Sequence, residues 1–135
     1  MTLDELLRLH NRFMIGFDVL LGGGTVLAPG PTLRVLGHEA PSPDAEVLFR
    51  RLGPIWLTFA AAHAVAAKRD DPSDWWALAW LRGTEIATDV IWSTSPGFKT
   101  PRARAGLLFA SASNLAMTAG FGWLARRSTT RRRGG

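Results

Sequence analysis

The chain has 135 residues and no cysteine. Disulfides, thiolate metal sites and a cysteine nucleophile are therefore excluded. A secretory leader is also missing: MTLDELLRLHNR carries acids where a signal peptide has a basic opening, so no cleaved signal is read there. No tandem repeat is visible, and 135 residues leave room for one domain. Gly22-Gly23-Gly24 lacks the Lys-Ser/Thr of a phosphate loop. Ser93, Ser95, Ser111 and Ser113 sit in no nucleophile elbow and beside no base. His10 and His38 have no second ligand at a metal-binding spacing. No enzymatic centre and no metal site emerge from the chain.

What is present is apolar. Hydrophobic residues make up 47% and charged residues 20%, with a mean hydropathy of +0.06. The charges gather in the turns and at the C-terminus, which favours a short-looped membrane protein over a soluble bundle. The segment Trp75–Ser93, WWALAWLRGTEIATDVIWS, organises the rest. Tryptophans mark both of its ends, as they do at membrane interfaces. From Trp76 to Trp92 a helix spans roughly 24 Å, close to the thickness of a bilayer's hydrocarbon. Arg82, Glu85 and Asp89 fall at i, i+3 and i+7, hence on one face. Charges facing lipid cost several kcal/mol, so that face must turn toward other helices.

Four helices are expected, at about 3–28, 43–68, 74–93 and 101–126, followed by a basic tail over 128–135. Thr2 and Glu5 form a capping box at the first start. Gly22-Gly23-Gly24 offers close approach to a neighbouring helix. Pro29-Gly30-Pro31 ends the element. Thr32 to Pro43 reads as irregular, with one short turn on the membrane surface. Ser42-Pro43 with Asp44 and Glu46 starts the second long helix, which Pro54 should kink. Lys68 to Asp74 is a short turn, which makes the second and third helices antiparallel. Gly106 to Ala125 runs twenty residues without a charge. The fold class is thus an all-α integral membrane four-helix bundle with both termini on one side. Nine Lys/Arg lie on that side against six on the other, Arg82 aside, which puts the termini in the cytoplasm of a bacterial inner membrane.

The segments APGPTLRVLG, LFRRLG and HAVAAKRDDPSDWW resemble those of small bacterial four-helix membrane proteins near the DoxX-like group. The likeness runs from Leu7 to Trp92, and Arg50-x-x-Gly53 is its sharpest piece. It implies a multi-pass inner-membrane protein of the same build. That group has no settled catalytic residues, so none carries over, and the acidic third helix departs from its pattern.

Depth along the helices brings Asp18, His63 and Arg82 to one level near the terminus-bearing face. Glu85 should lie near the midplane, level with Asn114, and Asp89 near the opposite face beside Arg50 or Arg51. The expected buried polar cluster is therefore Asp18, His63, Arg82, Glu85, Asp89 and Asn114. It can serve as interhelical glue or as a proton path. His63, set among alanines in FAAAHAVAA, is also a candidate axial ligand for a tetrapyrrole, although nothing in the sequence requires a cofactor. Arg126, Arg127, Arg131, Arg132 and Arg133 are expected to meet anionic lipid headgroups or an acidic partner surface. The role read from these features is a non-enzymatic accessory or structural subunit packed in the bilayer against other membrane-protein subunits, in an assembly of respiratory or photosynthetic type. A small carrier or tetrapyrrole/quinone-binding protein is the alternative. A soluble bundle with a nucleic-acid-binding tail is the second, and nucleic acid is the weaker partner for such a tail.

Overall fold

The computed structural model describes the backbone of residues 1–133 and the side chains of residues 1–130. Among the described residues there are six helices and no strand: α1 (Leu3–Leu27), α2 (Pro29–Val35), α3 (Pro43–Arg50), α4 (Gly53–Arg69), α5 (Pro72–Ser93) and α6 (Pro101–Arg133). The all-α expectation holds. The capping box also forms: Thr2 N donates to Glu5 Oε2 at 2.7 Å, and Glu5 N donates to Thr2 Oγ1 at 3.3 Å.

The helix boundaries differ from the expected ones at three prolines and at the tail. Pro29-Gly30-Pro31 does end α1, but it also opens α2. The first-turn N–H groups of a helix have no partner within it, so proline loses nothing there. The expected kink at Pro54 is instead a break. Arg51 and Leu52 close the chain with short bonds back to Leu48 and Phe49, and α4 restarts at Gly53 with Pro54 in its first turn. The third long helix begins at Pro72, two residues early, because the Asp71 carboxylate caps Ser73 N at 2.9 Å. The separate tail over 128–135 is corrected most plainly. No glycine or proline interrupts ARRSTTRRR, and α6 runs on to Arg133; Gly134 and Gly135 lie outside the described residues.

α1 packs on α4, α4 on α5, α5 on α6, and α6 touches α1, which closes a ring of four antiparallel neighbours. Asp70 makes the tight α4–α5 turn in the left-handed region, at φ 50°, which Asp tolerates better than most residues. The α1–α4 crossing occurs at Gly22 and Gly53. A Cβ on either would lie 2.8 Å from the other's carbonyl oxygen, so the glycines are required by contact. The main apolar core, around Trp75, Leu78, Phe121 and Leu124, fills the terminus-bearing half. A smaller one, Phe98, Ala103 and Leu107 with Trp92 against it, fills the other end.

Beside the apolar cores, polar side chains are buried at the helix contacts and large apolar ones are exposed. Asn11, Asp18, Thr25, His63, Arg82, Asp89 and Asn114 are buried, while Phe13, Leu20, Leu27, Trp80, Ile91 and Phe109 are exposed. Among the described residues one helix, over Pro101–Thr130, is long and apolar enough to cross a membrane. α1 and α5 are diluted by polar side chains, and α4 has 17 residues.

Candidate functional site

Asn11 and Asp18 stand seven residues apart on α1 and so share one stripe. α4 brings His63 to that stripe, and α5 brings Arg82. Asn11 Nδ2 donates to the His63 carbonyl at 3.0 Å, and this fixes the amide so that Asn11 Oδ1 faces the imidazole. Oδ1 lies 2.5 Å from His63 Nδ1 and can only accept, so the ring proton is on Nδ1. His63 Nε2 is then a bare acceptor. It takes hydrogen bonds from Arg82 Nε at 3.1 Å and Nη2 at 2.7 Å. Arg82 Nη2 also donates to Asp18 Oδ2, which stands 3.6 Å from His63 Nε2. The imidazole is neutral in this arrangement, and one guanidinium balances one carboxylate. Phe59 lies under the guanidinium, centroid to Cζ 5.2 Å, and Phe121 stands edge-on to His63 at 5.6 Å.

The cluster is therefore a net-neutral clasp across α1, α4 and α5, wrapped in aromatic rings. Asp18, His63 and Arg82 meet as their depths implied. Asn11 was missed, although the sequence carries its signal. Asp4, Asn11, Asp18 and Thr25 recur every seven residues, and all four are buried. One acceptor stays open, since Asp18 Oδ1 is buried without a hydrogen-bond partner.

The rest of the expected ladder is arranged otherwise. Asn114 donates to Asp89 Oδ2 at 2.9 Å, not to Glu85, and Ser111 Oγ donates to the Ile86 carbonyl at 3.1 Å. Asp89 is not paired with Arg50 or Arg51. Those two end α3 on the far side of the Pro54 break, and both are exposed. Glu85 is half-buried between the two groups. The single polar cluster expected from the sequence is thus two, one on each side of Glu85.

His63 does not fit the role of axial ligand. A ligating imidazole needs a free ring nitrogen, and here Asn11 holds one while Arg82 covers the other. At the helix ends, Arg126 lies over Trp76 at 5.7 Å. Arg127 lies over Trp123 at 5.2 Å and donates to Asp4 Oδ1 at 3.2 Å. Part of the expected basic surface is therefore used within the fold. The side chains of Arg131, Arg132 and Arg133 lie outside the described residues. At the opposite end an apolar cleft of about 450 Å³ opens between α2, α3 and the Trp92–Phe98 turn. None of the candidate site residues lines it.

Fold and site together define an all-α protein that buries a cluster of charged and amide side chains between its helices. The chain matches no family model, no curated protein and no solved structure.

Proposed function

We propose that this is an integral membrane protein of a bacterial inner membrane, with α1, α3–α4, α5 and α6 crossing as a four-helix bundle. Its role in this reading is non-enzymatic: an accessory or structural subunit that packs against a larger membrane assembly. One observation carries the proposal. Ionised and amide side chains are buried at the helix contacts, while Phe, Leu, Ile and Trp line the outside. In water that arrangement strands the exposed apolar surface, and in lipid it is the stable one.

The clasp supports a structural role over a carrier or a cofactor site. Both of its imidazole nitrogens are engaged, which joins three helices and leaves no open coordination position on His63. The kinship with DoxX-like four-helix proteins belongs to the same proposal, as does contact of the basic end of α6 with anionic headgroups or an acidic partner.

Alkaline carbonate extraction of membranes followed by a mild-detergent pull-down tests both halves. Retention in the membrane with a stoichiometric partner complex is expected. Release by carbonate would overturn the membrane placement. Recovery without any other membrane protein would overturn the accessory role.

A further inference from the structure

The face of α1 turned away from the bundle has an organisation that the monomer does not use. Leu6, Leu9, Phe13, Gly16, Leu20, Gly23 and Leu27 succeed one another at alternating steps of three and four residues. That is an unbroken heptad stripe, diametrically opposite the buried seam of Asn11, Asp18 and Thr25. Phe13, Leu20 and Leu27 are 64%, 77% and 83% exposed. A Cβ added at Gly16 or Gly23 would meet nothing within 4 Å, in contrast to Gly22 on the inner face. Glycine within a helix costs about 0.5–1 kcal/mol relative to alanine, and inside the monomer nothing offsets it at these two positions. Close helix–helix approach would.

We infer that this stripe is a homodimer interface, in which α1 of two copies packs in parallel about a twofold axis along the membrane normal. The inference rests on the membrane placement proposed above. Two copies inserted with the same topology can be related only by an axis normal to the bilayer, so like residues face like at each level. The stripe is self-complementary under that operation. Large side chains at 13, 20 and 27 alternate with gaps at 16 and 23, so the backbones close at each glycine level while the neighbouring Leu or Phe fills the space between. Five exposed side chains (Leu6, Leu9, Phe13, Leu20, Leu27) at about 100 Å² each give roughly 1,000 Å² over two copies, the size from which a specific interface becomes plausible. The flanking positions agree. In a parallel pair residue 5 lies beside residue 10, and residue 12 beside residue 17. Glu5 then meets the second copy's His10, and Arg12 covers the second copy's Phe17. The rings of His10, Phe13 and Phe17 form a continuous edge along the stripe, with centroids 6.1 and 6.5 Å apart.

The lack of native cysteine makes the test direct. Leu9→Cys, Phe13→Cys, Leu20→Cys and Leu27→Cys, each the single cysteine of the full chain, are oxidised with copper phenanthroline in native membranes. All four should form covalent dimers. Trp80→Cys on α5 and Phe109→Cys on α6, both 75% exposed in the wild type, should not. Cross-linking that is as strong on α5 or α6 as on α1 would overturn the proposal. In detergent, G16I/G23I should raise the dimer dissociation constant by at least about tenfold, a 1.4 kcal/mol effect, with the helical CD spectrum retained. Should that variant fail to fold, G16A alone must still weaken the dimer, and an unchanged dimer in either variant rejects the interface. Carbonate extraction of the same samples separates the two readings. A chain that stays in the membrane as a monomer refutes the dimer alone. A chain released by carbonate that still cross-links at 9, 13, 20 and 27 refutes the membrane placement alone.

Discussion

Arg82 is 3% exposed, and its guanidinium touches an imidazole, a carboxylate and a phenyl ring. Removing it strands the Asp18 carboxylate, whose other oxygen already lacks a partner. Arg82→Ala should therefore cost about 3–5 kcal/mol, as expected for a broken buried pair, measured by thermal or denaturant unfolding in detergent. Glu85→Gln should stay within about 1 kcal/mol of wild type, because Glu85 is half-buried and Arg82 is already held by Asp18, so the change strands no buried charge. A large loss for Glu85→Gln beside a stable Arg82→Ala would mean that this face of α5 looks into water. Asn11 gives a second prediction. It holds the proton on His63 Nδ1, the less common tautomer, so ¹⁵N-labelled His63 should show a protonated Nδ1 and a bare Nε2. Asn11→Leu should cost about 1–3 kcal/mol, because it leaves the Nδ1 proton without a buried acceptor while Arg82 still keeps Nε2 bare. A protonated Nε2 in the wild type would mean that Arg82 does not donate to it. At this scale the sequence was legible where charge forced a partner. Asp18, His63 and Arg82 could be brought together from depth alone, since a charge in an apolar run must find its opposite. Asn11 is neutral and close to the amphipathic first turns, so it raised no such demand. Asp89 was assigned an arginine when an amide, Asn114, is enough to satisfy one of its oxygens.

Helix starts were readable because caps act locally. Thr2 with Glu5, Ser42 with Pro43 and Thr100 with Pro101 each place a side-chain acceptor or a proline where the first-turn N–H groups need one. Breaks were read less well. A proline within an apolar run can kink a helix or separate two, and neighbouring packing decides which. Gly53, pressed against Gly22, fixes the start of α4 from outside its own sequence. The glycines make the third prediction. Gly22→Ala drives a methyl into the Gly53 carbonyl and should destabilise the bundle by about 1–3 kcal/mol. At Gly106, where an added Cβ meets nothing within 4 Å, Ala should stabilise by up to about 1 kcal/mol. Unfolding of the two variants under one condition checks the pair. Equal effects would remove the α1–α4 crossing as a determinant of the fold.

For the whole molecule the sequence reached the helix count of the ring and its antiparallel order, because turns as short as Asp70–Asp71 leave no other option. It did not reach the six-helix partition or the length of α6, which depend on where helices stop, and stops are weakly encoded when no glycine or proline intervenes. At about 1.5 Å per residue the 33 residues of α6 extend roughly 50 Å, against about 30 Å of hydrocarbon. In the membrane placement proposed above, the excess projects beyond the bilayer at one end or is shared between both. Ser128 is still buried, and Trp123 and Arg127 both donate to Asp4 at the start of α1. The last turns therefore stay docked on the bundle to about that level, and the helix clears it only near Thr130. This places Arg131, Arg132 and Arg133 at the bundle's end, on the side that holds nine of the fifteen cationic residues outside the core. Positive charge on short loops is retained in the cytoplasm, so both termini should lie there, with residues 29–43 outside. A reporter fused after Gly135 should be active in its cytoplasmic form and silent in its periplasmic form. Swapping Arg126, Arg127, Arg131, Arg132 and Arg133 to Gln lowers the count on that side from nine to four, below the six opposite, and should give mixed or inverted reporter activity. A wild-type fusion active only in the periplasm would reverse the topology. An unaltered pattern in the five-fold variant would show that orientation is set elsewhere, with Arg8, Arg12, Lys68 and Arg69 the four basic residues that remain on that side.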